Sequence, residues 1–152
     1  MDHQRHDWSF TTPPSNFDVP FTPLLIASVL KNFKDLGIGS GFVKSLAELN
    51  IIEPSEIQKK AIPILMSGAT DLVARAQTGT GKTAAYGLPL LAQINTKQNA
   101  VQGLILCPTR ELAKQVSKQL FKFTKYTDKI FAEAVYGGEH IDRQISALQR
   151  PT

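Results

Sequence analysis

The sequence predicts an α/β fold, a mostly parallel sheet with flanking helices, on three observations. Short apolar runs at 71–75, 103–107 and 130–136 alternate with stretches of helical periodicity. One such run leads into Ala76-Gln77-Thr78-Gly79-Thr80-Gly81-Lys82-Thr83, a glycine-bearing turn at a strand-to-helix junction. Between the first two runs lies a single helical stretch, the makeup of a βαβ unit with a right-handed crossover.

The elements follow in order. Residues 1–32 contain Pro13, Pro14, Pro20 and Pro23 without clear periodicity and read as an irregular extension; 33–152 read as the first part of one domain. Phe42, Val43, Leu46 and Leu49 fall at helical spacing between Ser40 and Leu49, and Asn50 is a stop. A second helix starts at Ser55 with Ile57, Ala61 and Leu65 inward; Pro63 is expected to interrupt it and Gly68 to end it. After strand 71–75 and the octet, a helix runs to about Ile94 with Pro89 inside it, and 95–102 is a polar loop.

Gly103-Leu104-Ile105-Leu106-Cys107 is continuously apolar, as in a strand buried on both faces, and Pro108 stops it. Thr109 is the N-cap of a helix over 111–124. Strand 130–136 ends at Gly137-Gly138, and a short helix covers 141–148.

The composition is that of an ordinary globular domain, with 42% hydrophobic and 20% charged residues among 152. The net charge is +4, and residues 76–152 hold the excess with 10 Lys and Arg against 5 Asp and Glu. Such a mild basic balance points only weakly to a polyanion partner. Cys107 is the only cysteine, which excludes an intrachain disulfide and fits a reducing, cytoplasmic setting. No apolar stretch is long enough to span a bilayer, residues 1–8 lack the pattern of a secretory leader, and no membrane partner is expected.

The octet carries the most chemistry. Gly79 and Gly81 allow backbone conformations closed to other residues and a close approach to an anion. Successive N–H groups then converge on phosphate oxygens, aided by the positive end of the next helix. Lys82 would place a point charge on the β/γ-phosphates, and the Thr83 hydroxyl would coordinate Mg²⁺. The generic phosphate loop opens with a glycine; here that position is Ala76.

Four motifs over 33–148 together resemble the N-terminal part of a DEAD-box ATP-dependent RNA helicase, whose first domain is RecA-like. The first is Phe33 followed by Glu53-Pro54-Ser55-Glu56-Ile57-Gln58, similar to the family's adenine-reading Q motif. A glutamine amide offers a donor and an acceptor that match the N6 and N7 edge of adenine. The resemblance implies that Phe33 packs on the base. Asn50-Ile51 stands where the family usually has Gly-Phe. The second motif is the octet, whose opening Ala76 is the family's form. The third is Pro108-Thr109-Arg110-Glu111-Leu112-Ala113 and the fourth is Gly137-Gly138 with Gln144 and Leu148. By resemblance, Pro108, Thr109, Arg110, Glu111, Gly137 and Gly138 touch the sugar-phosphate backbone of RNA, contacts that carry no sequence information. Read without the resemblance, these two are a capped helix start and a glycine turn.

The resemblance implies ATP with Mg²⁺ as cofactors, nucleotide held by Phe33, Gln58 and residues 77–83, catalytic parts for Lys82 and Thr83, and RNA as the partner. It implies an RNA-stimulated ATPase that unwinds short duplexes. No Asp-Glu-Ala-Asp or Ser-Ala-Thr sequence occurs in these residues, so the chain itself is expected to bind nucleotide with little or no turnover. Competing readings are another P-loop ATPase dependent on nucleic acid, and a non-enzymatic nucleotide- or RNA-binding module. Lys114, Lys118, Lys122, Lys125 and Lys129 form a basic stripe, read as a solvated helix face with an electrostatic guide for RNA as the alternative.

Overall fold

The structure is a computed structural model and describes residues 10–11, 32–68, 71–127 and 130–149. Lys129, and all of 1–32 except residues 10, 11 and 32, lie outside the described residues. The described residues form five helices, α1 (Ser40–Glu48), α2 (Glu56–Met66), α3 (Lys82–Ala92), α4 (Arg110–Phe123) and α5 (Ile141–Leu148), and the first four carry the core.

Each helix boundary has a local cause. Asn50, at φ 57°, takes the left-handed conformation that asparagine tolerates and so ends the α1 region. Ser55 and Gln58 form a reciprocal capping box at the start of α2. Pro63 does not interrupt α2, which runs on to Met66. α2 packs along α3, and α3 packs on α4. That packing offsets the hydrogen bond a proline removes.

The core joins Phe33, Leu36 and Ile38 to Phe42 and Leu46 of α1, Ile62 of α2, Leu88 and Leu91 of α3, and Val116, Leu120 and Phe123 of α4. α3 and α4 cross closely at Gly87, where a Cβ would lie 2.7 Å from Leu120 Cδ2.

The sheet departs from expectation. Among the described residues the one ladder is antiparallel, joining β1 (Phe10–Thr11) to β2 (Val73–Ala74), with Phe10 opposite Ala74. Two residues of the segment read as irregular therefore form a strand. No ladder joins 103–107 to 71–75 or to 130–136 among the described residues. Grooves of about 690 Å³ and 700 Å³ flank 103–107 instead, one toward 130–137 and one toward Leu72 and Ala74.

Segment 103–107 is also not buried on both faces: Leu104 and Leu106 are 79% and 85% exposed, whereas Ile105 and Cys107 pack on the core. Segment 130–136 behaves alike, with Ile130 and Ala132 inward and Phe131 and Val135 exposed. The helices cover one face, and no described layer covers the other. This alternation is the two-residue period of a strand without a neighbouring strand to complete its hydrogen bonds.

Candidate nucleotide and RNA site

The octet folds as a loop closed by its own side chains. Gly79 and Gly81 have φ of 79° and 86°, in the left-handed region that glycine enters without strain. Gly81 is the N-cap of α3, so Lys82 and Thr83 form its first turn. Lys82 Nζ donates to the carbonyls of Ala76 at 2.6 Å and Gln77 at 2.5 Å, which holds the ammonium against the loop backbone. Thr80 Oγ1 donates to the Gln77 carbonyl at 2.8 Å. Gln77, Thr78 and Gly79 are exposed. The Thr83 hydroxyl is hydrogen-bonded with Tyr86, whose phenol burial pushes above its ordinary pKa.

The two residues expected at the adenine, Phe33 and Gln58, are both buried, and in different places. Phe33 is 1% exposed and sits in the core, so it offers no ring face to a base. Its aromatic area is spent on the apolar side chains around it. Gln58 is also buried, but at the loop. Its Oε1 accepts from Ser55 N at 2.9 Å and its Nε2 donates to the Gly81 carbonyl at 3.0 Å. Ser55 Oγ donates to the Thr80 carbonyl at 2.8 Å. Two residues of α2's capping box thus grip the two residues before Lys82. A Cβ on Gly81 would run into the Gln58 amide, so this glycine is required by close approach as well as by φ. An amide carries two donors and two acceptor lone pairs, and each of these two bonds uses one of a kind. One donor and one acceptor are left, held in orientation by the first two.

Ser55 was missed as a site residue. Its signal was present in the sequence, since Ser-x-x-Gln before an apolar run is a capping box. Tyr86, three residues after Thr83 on the same helix, had no comparable signal.

The second cluster lies at the start of α4. Thr109 Oγ1 accepts from Leu112 N at 3.2 Å, the N-cap read from sequence. Arg110 Nε donates to Glu111 Oε1 at 2.7 Å, and that contact holds the exposed Glu111 carboxyl below its ordinary pKa. Pro108 is exposed beside them. Gly138 has φ 87°, and a Cβ on it would sit 3.2 Å from Arg110 Nη1. The structure therefore brings Gly138 and Arg110 together although they are far apart in sequence. Val116, Leu120 and Phe123 are buried, as the stripe reading requires, which turns Lys114, Lys118 and Lys122 away from the core.

A glycine loop closing on a helix start, in a chain of alternating helices and extended segments, is the arrangement of a P-loop α/β protein. A profile described as DEAD/DEAH box helicase matches residues 55–152. The chain belongs to the DEAD/DEAH box helicase family. It is 46% identical over 121 residues to the ATP-dependent RNA helicase CshA of Listeria monocytogenes, covering 80% of this chain and 23% of that protein. A DEAD box protein from Methanococcus jannaschii superposes with a TM-score of 0.71 at 35% identity, over 78% of this chain and 32% of the other. Saccharomyces cerevisiae Dbp5 bound to RNA and ADP BeF3 gives a TM-score of 0.63 at 31% identity, over 74% and 30% of the two chains. The chain thus spans about a quarter to a third of the relatives it matches.

Proposed function

We propose that this chain is the nucleotide-binding part of an ATP-dependent RNA helicase. The carrying observation is the loop at 76–83, whose Gly79 and Gly81 take positive φ directly before Lys82 and Thr83 at the start of α3. Converging N–H groups at a helix N-terminus are a ready anion site. Lys82 would leave the Ala76 and Gln77 carbonyls for the β/γ-phosphates. Gln58 would read adenine with its remaining donor and acceptor, while its other two bonds keep the loop in register.

Mg²⁺ fits this loop as part of the nucleotide. Among the described residues no group of three His, Cys, Asp or Glu side chains could hold a metal ion. The ion would bind phosphate oxygens and water, with Thr83 as one hard oxygen donor, and it would neutralise phosphate charge. Pro108, Thr109, Arg110, Glu111, Gly137 and Gly138 form the RNA-facing surface, supported by the contact of Gly138 with Arg110 and by the RNA-bound Dbp5 neighbour. We take 71–75, 103–107 and 130–136 as strands of a mostly parallel, RecA-like sheet, supported by the alternating exposure of 103–107 and 130–136 and by the β2 pairing of Val73 and Ala74, and the lone Cys107 favours a cytoplasmic setting.

The test is ATP hydrolysis by the complete protein with and without single-stranded RNA, together with unwinding of a short RNA duplex. RNA-stimulated turnover and unwinding are expected. Stimulation by DNA alone would favour another P-loop ATPase, and nucleotide binding without turnover in the complete protein would favour a binding module.

A further inference from the structure

Gln144 is the motif residue that the nucleotide site leaves without a task. It lies on α5, and its side chain reaches back to the Gly137–Gly138 turn. Oε1 accepts from Tyr136 N at 2.8 Å, and Nε2 donates to the carbonyls of Tyr136 at 3.2 Å and Glu139 at 3.5 Å. One amide therefore fastens the chain on both sides of the glycine pair, as a neighbouring strand would fasten a strand end.

What the turn is fastened against is basic. Gly138 lies against the Arg110 guanidinium, and Lys114 Nζ sits 4.4 Å from the centroid of the Tyr136 ring. Arg110 and Lys114 are four residues apart on α4 and share a face. Lys125, farther along the stripe, does not converge here. Lys125 is bound to Glu48 Oε2 at 2.5 Å, at the other end of α4.

We propose that Gln144 is a positioning residue for RNA-backbone binding, presetting the glycine turn against Arg110, and that Lys114, held over Tyr136, supplies a further phosphate contact beside it. This rests on the RNA reading above. A glycine turn beside two cations is a phosphate surface, and fastening it before RNA arrives removes part of the ordering cost of binding. The Tyr136 ring keeps the Lys114 ammonium near the turn by a cation–π contact that a phosphate can displace.

The experiment uses the complete helicase with a fluorescent single-stranded RNA and a non-hydrolysable ATP analogue, titrated at several salt concentrations. Gln144→Ala should weaken RNA about tenfold, the scale of one or two net hydrogen bonds. The RNA concentration that half-stimulates ATP hydrolysis should rise by the same factor while the maximal rate holds. Lys114→Gln should lower the salt slope by about 0.7, one phosphate contact on a single strand. Arg110→Gln is the reference for the RNA reading. If it weakens RNA while Gln144→Ala does not, or if Gln144→Ala lowers ATP and RNA affinity together, the positioning role is overturned. An unchanged slope in Lys114→Gln overturns the added phosphate contact. If Arg110→Gln is silent as well, the RNA reading fails and this inference with it.

Discussion

Replacing Gln58 by alanine separates two tasks that the structure gives one side chain. Gln58 is buried, and its amide joins the N-cap of α2 to the loop residue immediately before Lys82. Gln58→Ala removes both hydrogen bonds and leaves Ser55 N and the Gly81 carbonyl to find other partners. At about 0.5–1.5 kcal/mol net for each bond, the cost is about 1–3 kcal/mol. For a chain of 152 residues that lowers the melting temperature by roughly 2–12 °C. Ser55 Oγ still holds the Thr80 carbonyl, so the loop loosens rather than unfolds.

The assay is thermal unfolding beside titrations with ATP, GTP and inorganic pyrophosphate. A loosened loop weakens all three ligands, and a lost adenine contact weakens ATP further. Equal loss for all three would refute base reading by Gln58. An unchanged melting temperature with unchanged pyrophosphate affinity would refute the tether.

Other outcomes follow from the same geometry. Phe33→Leu should cost about 1 kcal/mol and leave ATP affinity unchanged, because the ring fills the core; a selective loss of ATP binding would restore the stacking role. Thr109→Ala removes the N-cap bond to Leu112 and should cost about 1 kcal/mol in chemical denaturation, with a cost near zero counting against the cap. Glu48 accepts from Lys125 and Tyr126, so its carboxyl titrates below its ordinary value of 4.5. Its contribution to stability is therefore present above pH 4.5 and lost as pH falls through the lowered folded value. NMR titration should show this in the native chain and a return toward 4.5 in Lys125→Met.

The helices were legible because their causes are local. Thr109 caps α4, Asn50 turns the chain after α1, and the α5 span 141–148 matches the observed Ile141–Leu148. The octet was legible for the same reason, since glycine conformation and a following helix start are short-range properties. The sheet was not. Val73 and Ala74 pair with Phe10 and Thr11, a partner chosen by distant residues that the apolar run at 71–75 does not encode. The run at 103–107 shows strand composition, and composition does not say whether a second layer covers Leu104 and Leu106. The motif alone assigns Gln58 and Phe33 to the base. The structure adds a loop tether to the first and core packing to the second, and both depend on neighbours distant in sequence, Gly81 and Phe123 among them.

Calorimetric titration of ATP with Mg²⁺ into this 152-residue chain and into its Lys82→Ala variant tests the central claim most directly. Saturable one-to-one binding, weakened at least about tenfold by the substitution and accompanied by little or no phosphate release, is the predicted result. Equal affinity in the two proteins would contradict the assignment of residues 76–83 as the phosphate site.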